Sequence, residues 1–190
     1  CRALDILGSR APTIDWIGRS VGGPVQGMSY NDYLIGLFPH VWGTKIIPHP
    51  SESPEKIYAR QALASFVVIP SDWDVFNLTA VEAMAQQAVV ICSNGAGASD
   101  FIQDGVNGFL FNAGDSYQLA ETISRVQELS SSDRNQIGVK AQKTVQHHLN
   151  PDRISAMVMD EYIAAMSLRN HVPEPPDVLA GTLSPFCKTN

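Results

Sequence analysis

FVVIPSDWDVFNLTAVEAMAQQAVVIC, residues 66–92, opens and closes on short apolar runs, FVVIP and AVVIC. Both are rich in β-branched residues, show no polar alternation and are too short for a globular helix. Runs of that kind read as strands buried on both faces, as in a parallel sheet. The stretch between them reads as a loop followed by a helix over 79–86. A strand, a helical crossover and a second strand form the unit that joins parallel neighbours.

The same alternation extends in both directions. Candidate strands are 13–19, 45–49, 66–70, 89–92 and 108–111, and candidate helices are 29–38, 54–64, 79–86, 98–103, 116–129, 132–148 and 152–168. The expected class is α/β, a parallel sheet with helices on both faces. Ser53 before Pro54 gives a helix start with proline in the first turn. Asp115 or Ser116 can cap the helix whose Leu119, Ile123, Val126 and Leu129 share one face. Asn150-Pro151 breaks the chain before the last helix. Residues 1–168 read as one domain and 169–190 as a proline-rich tail without periodicity.

Bulk properties narrow the function classes. The length of 190 residues suffices for a real core. A net charge of −6 argues against a nucleic-acid partner, because phosphate backbones require lysine and arginine stripes. No apolar run approaches the length of a transmembrane segment. Three cysteines, Cys1, Cys92 and Cys187, form no disulfide or metal spacing and suit a reducing, cytoplasmic setting. The chain shows neither an initiator methionine nor a signal-like leader, so Cys1 reads as the start of a piece. His147 and His148 end a helix, where imidazoles favour the dipole, and no metal is expected.

Four loops follow the strands: SVGGPVQGMS (20–29), PHPSESP (48–54), PSDWDVFN (70–77) and SNGAGAS (93–99). They fall at the carboxyl ends of the strands, where open α/β sheets bind ligands. A helix starting near Thr79 would aim its N-terminus into that crevice and favour a phosphate. Glu82 lies in its first turn, and Asp74 lies on the loop before it. Carboxylates accept hydrogen bonds from sugar hydroxyls. A phosphate-binding helix end flanked by two such groups describes a nucleotide-sugar site. Plainer readings stand beside it. Thr79 and Glu82 have capping-box spacing, Asp74 could cap a turn, Trp73 and Phe76 could anchor the loop in the core, and GAG (95–97) could be a tight turn.

Residues 70–123 resemble the donor-binding segment of glycosyltransferase family 4, of GT-B fold. EAMA (82–85) and DGVNG (104–108) match its motifs as they stand, and the likeness runs from about residue 13 to 168. It implies a Rossmann-like domain that forms the C-terminal half of a retaining enzyme. That enzyme would move a sugar from a nucleotide diphosphate to a glycan or lipid-linked hydroxyl acceptor. It further implies that Asp74 contacts the sugar and Glu82 the ribose. Phe76, Asn77, Leu78 and Thr79 would face the sugar and pyrophosphate, and the base would rest near Pro48 and His49. No metal or other cofactor is implied. Asp74 stands where the family commonly has glutamate, and Asn77 where glycine is usual.

The family's first strand, its arginine–lysine pair and its acceptor-binding half are expected upstream of Cys1, with CRALDILGS as the end of a first helix. The fragment is expected to be inactive alone, in a protein that is cytoplasmic or peripheral at a membrane. The alternative is a degenerate, non-catalytic module that binds a partner or scaffold.

Overall fold

The computed structural model describes residues 1–169. A short helix α1 (Arg2–Leu7) and a 3-10 turn lead into β1 (Ile14–Ile17), followed by α2 (Tyr30–Leu37) and β2 (Ile46–His49). Then come α3 (Pro54–Leu63), β3 (Val67–Ile69), α4 (Leu78–Ala85) and β4 (Val90–Ser93). A 3-10 segment (Gly97–Phe101) precedes β5 (Phe109–Phe111), α5 (Ser116–Glu128), α6 (Ser131–His148) and α7 (Pro151–Arg169). All five expected strands are present. The segment expected as a helix over 98–103 is the tighter 3-10 form. The proline-rich tail lies outside the described residues.

The α/β arrangement of parallel strands flanked by helices is as expected, and the strands pair as two parallel sheets. β1 pairs with β2, and β3–β4–β5 pair in that order. Chain order moves from β1 to β2 in the first sheet and from β3 through β5 in the second. A cleft of about 1090 Å³ lies between β1 and β3. The burial of the strands follows this division. All of β4, which has a partner on each edge, is buried, whereas Val67 and Val68 of β3 are only half-buried.

The core joins the two sheets into one compact unit over Cys1–His148. α1 packs on α5 through Ala3, Leu4 and Leu7. Ile123 and Val126 of α5 are buried, with Leu119 and Leu129 packed at the margin, as the one-face spacing requires. Asp115 caps α5, accepting from Gln118 N–H at 2.9 Å. Ser53 stands at the N-cap of α3 with Pro54 in the first turn, and its side chain makes no capping bond.

α4 and α6 meet through Gly138, where an added Cβ would lie 2.0 Å from the Gln87 carbonyl oxygen. Gln142 donates to the Ala85 carbonyl at 2.9 Å, closing the C-terminal end of α4.

The DGVNG turn is built from its own side chains. Asp104 accepts from Leu110 N–H at 2.9 Å and pairs with Arg125 at 3.1 Å. Asn107, buried, holds Gln103 N–H, the Phe101 carbonyl and Thr144. Gly105 takes φ +72°, which the turn requires.

The second unit begins at Leu149. Asn150 caps α7, accepting from the N–H groups of Asp152 and Arg153 at 2.9 and 3.1 Å. Among the described residues no helix is long and apolar enough to cross a membrane.

Candidate functional site

The site builds outward from the start of α4. Asn77, not Thr79, is the N-cap. It takes φ 67° and ψ 85°, and its side chain accepts from Ala80 N–H at 3.0 Å. Asparagine tolerates that left-handed conformation, so the residue standing where the family has glycine keeps a glycine-like path. The N–H groups of Leu78 and Thr79 have no protein acceptor among the described residues, and both residues are exposed. The helix tip is therefore open, and its partial positive charge faces outward.

Moving the cap to Asn77 removes the capping-box reading, because the third helical residue is then Ala80. The Glu82 carboxylate instead lies on the wall of the cleft with Thr79 and accepts from Tyr58 Oη at 3.3 Å. The nearby Glu82 charge raises the Tyr58 pKa above its ordinary value.

Asp74 is placed differently. Its Oδ1 accepts from Phe76 N–H and Asn77 N–H at 3.1 and 3.0 Å, and its Oδ2 accepts from Asn77 Nδ2 at 3.0 Å. The carboxylate thus ties the loop to the helix cap. A carboxylate offers about four lone-pair sites, so roughly one remains on Oδ2. The loop is also fastened from behind. Asp74 N–H donates to the Gly95 carbonyl, Gly97 N–H to the Asp74 carbonyl and Ala98 N–H to the Phe76 carbonyl. Added Cβ atoms on Gly95 and Gly97 would fall 2.2 and 2.1 Å from carbonyl oxygens of this loop. The two glycines serve close backbone packing.

Trp73 is 79% exposed, not a core anchor, whereas Phe76 is half-buried with its ring edge-on to Phe101 at 5.7 Å. His148 packs against that Phe101 ring. Among the described residues no group of three His, Cys, Asp or Glu side chains is placed to hold a metal.

Pro48 and His49 end β2, and His49 Nε2 lies 2.8 Å from Asp15 Oδ1. Arg60 Nη1 reaches Asp15 at 3.2 Å, and its Nε and Nη2 bind Glu52 bidentately at 2.9 and 2.8 Å. Arg60 holds the Glu52 carboxyl below its usual range. Tyr58, Glu52, Arg60 and Asp15 were not identified from the sequence. They come from separate elements and form no motif. The helical spacing of Ile57, Tyr58 and Gln61 was the one available signal for a cleft-facing side.

Cys92 is fully buried, and burial pushes its thiol up to about 11. At neutral pH under about one molecule in a thousand then carries the thiolate. Iodoacetamide at pH 7.5 should leave Cys92 unmodified in the native protein and label it on unfolding. Mass spectrometry showing native-state labelling would contradict this.

Residues 43–144 match the model of the family described as Glycosyl transferases group 1, and the chain belongs to that family. It is 33% identical over 105 residues to a lipopolysaccharide 1,2-N-acetylglucosaminetransferase of Salmonella typhimurium, covering 54% of this chain and 27% of that protein. It is 29% identical over 131 residues to a glycogen synthase of Thermodesulfovibrio yellowstonii, covering 67% of this chain and 26% of that one. The chain thus spans about a quarter of these relatives' length.

Among solved structures, the fold is shared with sucrose-phosphate synthase from Thermosynechococcus elongatus. The TM-score is 0.71 at 22% identity, covering 88% of this chain and 42% of that one. It is shared also with Anabaena HepE in complex with UDP-glucose, at a TM-score of 0.67 and 22% identity, covering 86% and 44%.

Proposed function

We propose that this chain is the C-terminal, donor-binding part of a retaining, hexosyltransferase-type glycosyltransferase of family 4. The whole enzyme transfers a sugar from a nucleotide diphosphate to a glycan or lipid-linked hydroxyl acceptor. The observation that carries the reading is the open N-terminus of α4 at a cleft whose wall holds Glu82. The diphosphate sits at the helix tip, near the N–H groups of Leu78 and Thr79. Preorganised donors there stabilise the charge that grows on the leaving group. Glu82 accepts from the ribose hydroxyls, and the nucleobase lies toward Pro48 and His49. The free acceptor site of Asp74 takes one hydroxyl of the sugar, with Phe76 and Asn77 behind it.

This chemistry calls for no resident metal or cofactor, because N–H groups and cations neutralise the leaving diphosphate. The acceptor site and the remaining cations belong to an N-terminal half, and the enzyme works in the cytoplasm or at a membrane surface through that half. The glycine-like path at Asn77 supports a competent donor site over a degenerate module.

Calorimetry with UDP, GDP and ADP tests the reading. The 190-residue chain should bind one of them weakly, in the high micromolar range or above, and turn over no nucleotide sugar. Glu82→Ala should weaken that affinity by about 10- to 100-fold, the loss of one or two hydrogen bonds to a charged group. Asp74→Asn, which keeps the shape of the loop, should cost no more than about fivefold for the nucleoside diphosphate. Equal or reversed losses would refute these roles, and nanomolar binding would refute the need for a second half.

A further inference from the structure

Of the three tryptophans, Trp73 alone has no ring partner among the described residues. Trp42 is buried and packs against Trp16 with ring centroids 5.9 Å apart. Trp73 is 79% exposed and makes no hydrogen bond or ring contact among the described residues. A tryptophan side chain buries about 150–250 Å² where it packs. Trp73 leaves most of that apolar face in water, beside the donor site. Its neighbour Asp74 holds the α4 cap, accepting from Asn77 N–H at 3.0 Å.

The exposure does not come from a slack loop. The Asp72 carbonyl packs directly over the α-carbon of Gly95, and Asp74 forms a parallel bridge with Ala96. Asp74 N–H donates to the Gly95 carbonyl and Gly97 N–H to the Asp74 carbonyl, both at 3.0 Å. The residues on either side of Trp73 are therefore anchored to 95–97. An aromatic ring on an anchored backbone presents its face in one place, as a binding platform requires.

The flank of the ring carries the second observation. Asp72 is exposed, and its carboxylate has neither a hydrogen bond nor a cation among the described residues. In this it differs from Asp74, which is committed to Phe76 and Asn77. An open aromatic face beside a free carboxylate matches the two surfaces of a sugar. The C–H face of a pyranose is apolar and slightly positive, complementary to the negative face of the indole. The hydroxyls at its edge donate to a carboxylate. The acidic flank, in a chain of net charge −6, disfavours an anionic membrane surface.

We propose that Trp73 and Asp72 form a subsite for the acceptor, with one sugar ring stacked on the indole and a hydroxyl of that ring bonded to Asp72. The proposal rests on the donor site described above and adds one contact from this half to the acceptor. Position selects acceptor over donor. Thr79 and Glu82 line the cleft, whereas Asp72 and Trp73 do not. A donor seated at the cleft mouth and the α4 tip leaves the outer side of the loop open, and the attacking hydroxyl must approach from outside the cleft. Trp73 orients the ring that bears this hydroxyl and takes no part in bond making. The group next to the reacting hydroxyl is then a sugar ring, not an alkyl chain.

Magnetic resonance of the isotope-labelled 190-residue chain tests this on the indole N–H signal of Trp73, identified by its loss in Trp73→Phe. The probes are the methyl glycosides of glucose, galactose, mannose and N-acetylglucosamine. A single stacked ring with one or two hydrogen bonds supports a Kd of about 1–100 mM. At least one glycoside should shift the Trp73 signal saturably and leave those of Trp16 and Trp42 in place. Asp72→Asn should weaken that binding by about three- to tenfold. No movement of the Trp73 signal with any of the four at about 100 mM would overturn the proposal. A signal that answers to UDP, GDP or ADP and not to glycosides would put the ring in the donor site, and one that answers only to phosphatidylglycerol vesicles would make it a membrane contact. Either result would also overturn it. Calorimetry on the same protein reads nucleotide binding separately, so failure of the donor site is distinguishable from failure of this subsite.

Discussion

Gly138→Ala should destabilise the protein by about 3 kcal/mol or more, although alanine is the better helix former. On propensity the change inside α6 would stabilise by up to about 1 kcal/mol. The contact decides otherwise. The new methyl would sit 2.0 Å from the Gln87 carbonyl oxygen, and this neighbour is backbone that cannot rotate away. Gln87 itself takes φ 62°, so the turn between α4 and β4 has little freedom to absorb a shift. Separating α4 from α6 would also break the Gln142 bond to Ala85. Urea denaturation at pH 7 measures the effect, with Lys140→Ala, two residues further on at an exposed position, as the control. A Gly138→Ala variant as stable as the parent would mean that α6 does not cross α4 at this point.

Asp74→Ala should cost about 2–4 kcal/mol, and Asp74→Asn less than half as much. Removing the carboxylate leaves the N–H groups of Phe76 and Asn77 without acceptors in a partly buried loop and removes one of the bonds that hold the Asn77 side chain. Hydrogen bonds to a charged acceptor contribute about 1.5–3 kcal/mol, and an orphaned buried donor costs about 1–3 kcal/mol. Asparagine keeps one acceptor oxygen for the two N–H groups and loses the charge. Thermal unfolding of the three proteins separates the effects. Equal melting points for Asp74→Ala and the parent would show that the carboxylate is free for substrate and not committed to the loop.

These two residues show what the sequence could and could not carry. The alternation of apolar runs with amphipathic stretches placed all five strands and the long helices within a few residues, because those patterns are local. The Asn77 conformation was legible only as one of two options, since a residue standing for glycine must take a left-handed path or redirect the chain, and the structure has the first. The start of α4 was misplaced by one residue and its cap by two, because the Asn77 side chain takes the capping role that the spacing offered to Thr79. The orientation of Asp74 was open to two readings, and both partners that decide it sit within three residues.

Other features were not legible for a different reason. The Tyr58 bond to Glu82, the Arg60 clamp on Glu52 and Asp15, and the approach of Gly138 to Gln87 join residues from separate elements. No spacing rule reports such contacts. The division of the sheet also escaped a pattern reading, because each strand looks equally buried in sequence whether one of its edges is filled or not.

The main-chain bonds that fasten residues 74–76 to residues 95–98 have a thermodynamic consequence. Two surface segments joined in this way fluctuate together, so few torsions are left for an arriving substrate to freeze. Donor binding at the α4 tip, as proposed, should therefore carry a small ordering entropy. Discrimination between sugars would then come from fit to a stiff rim and not from folding of the rim around each guest.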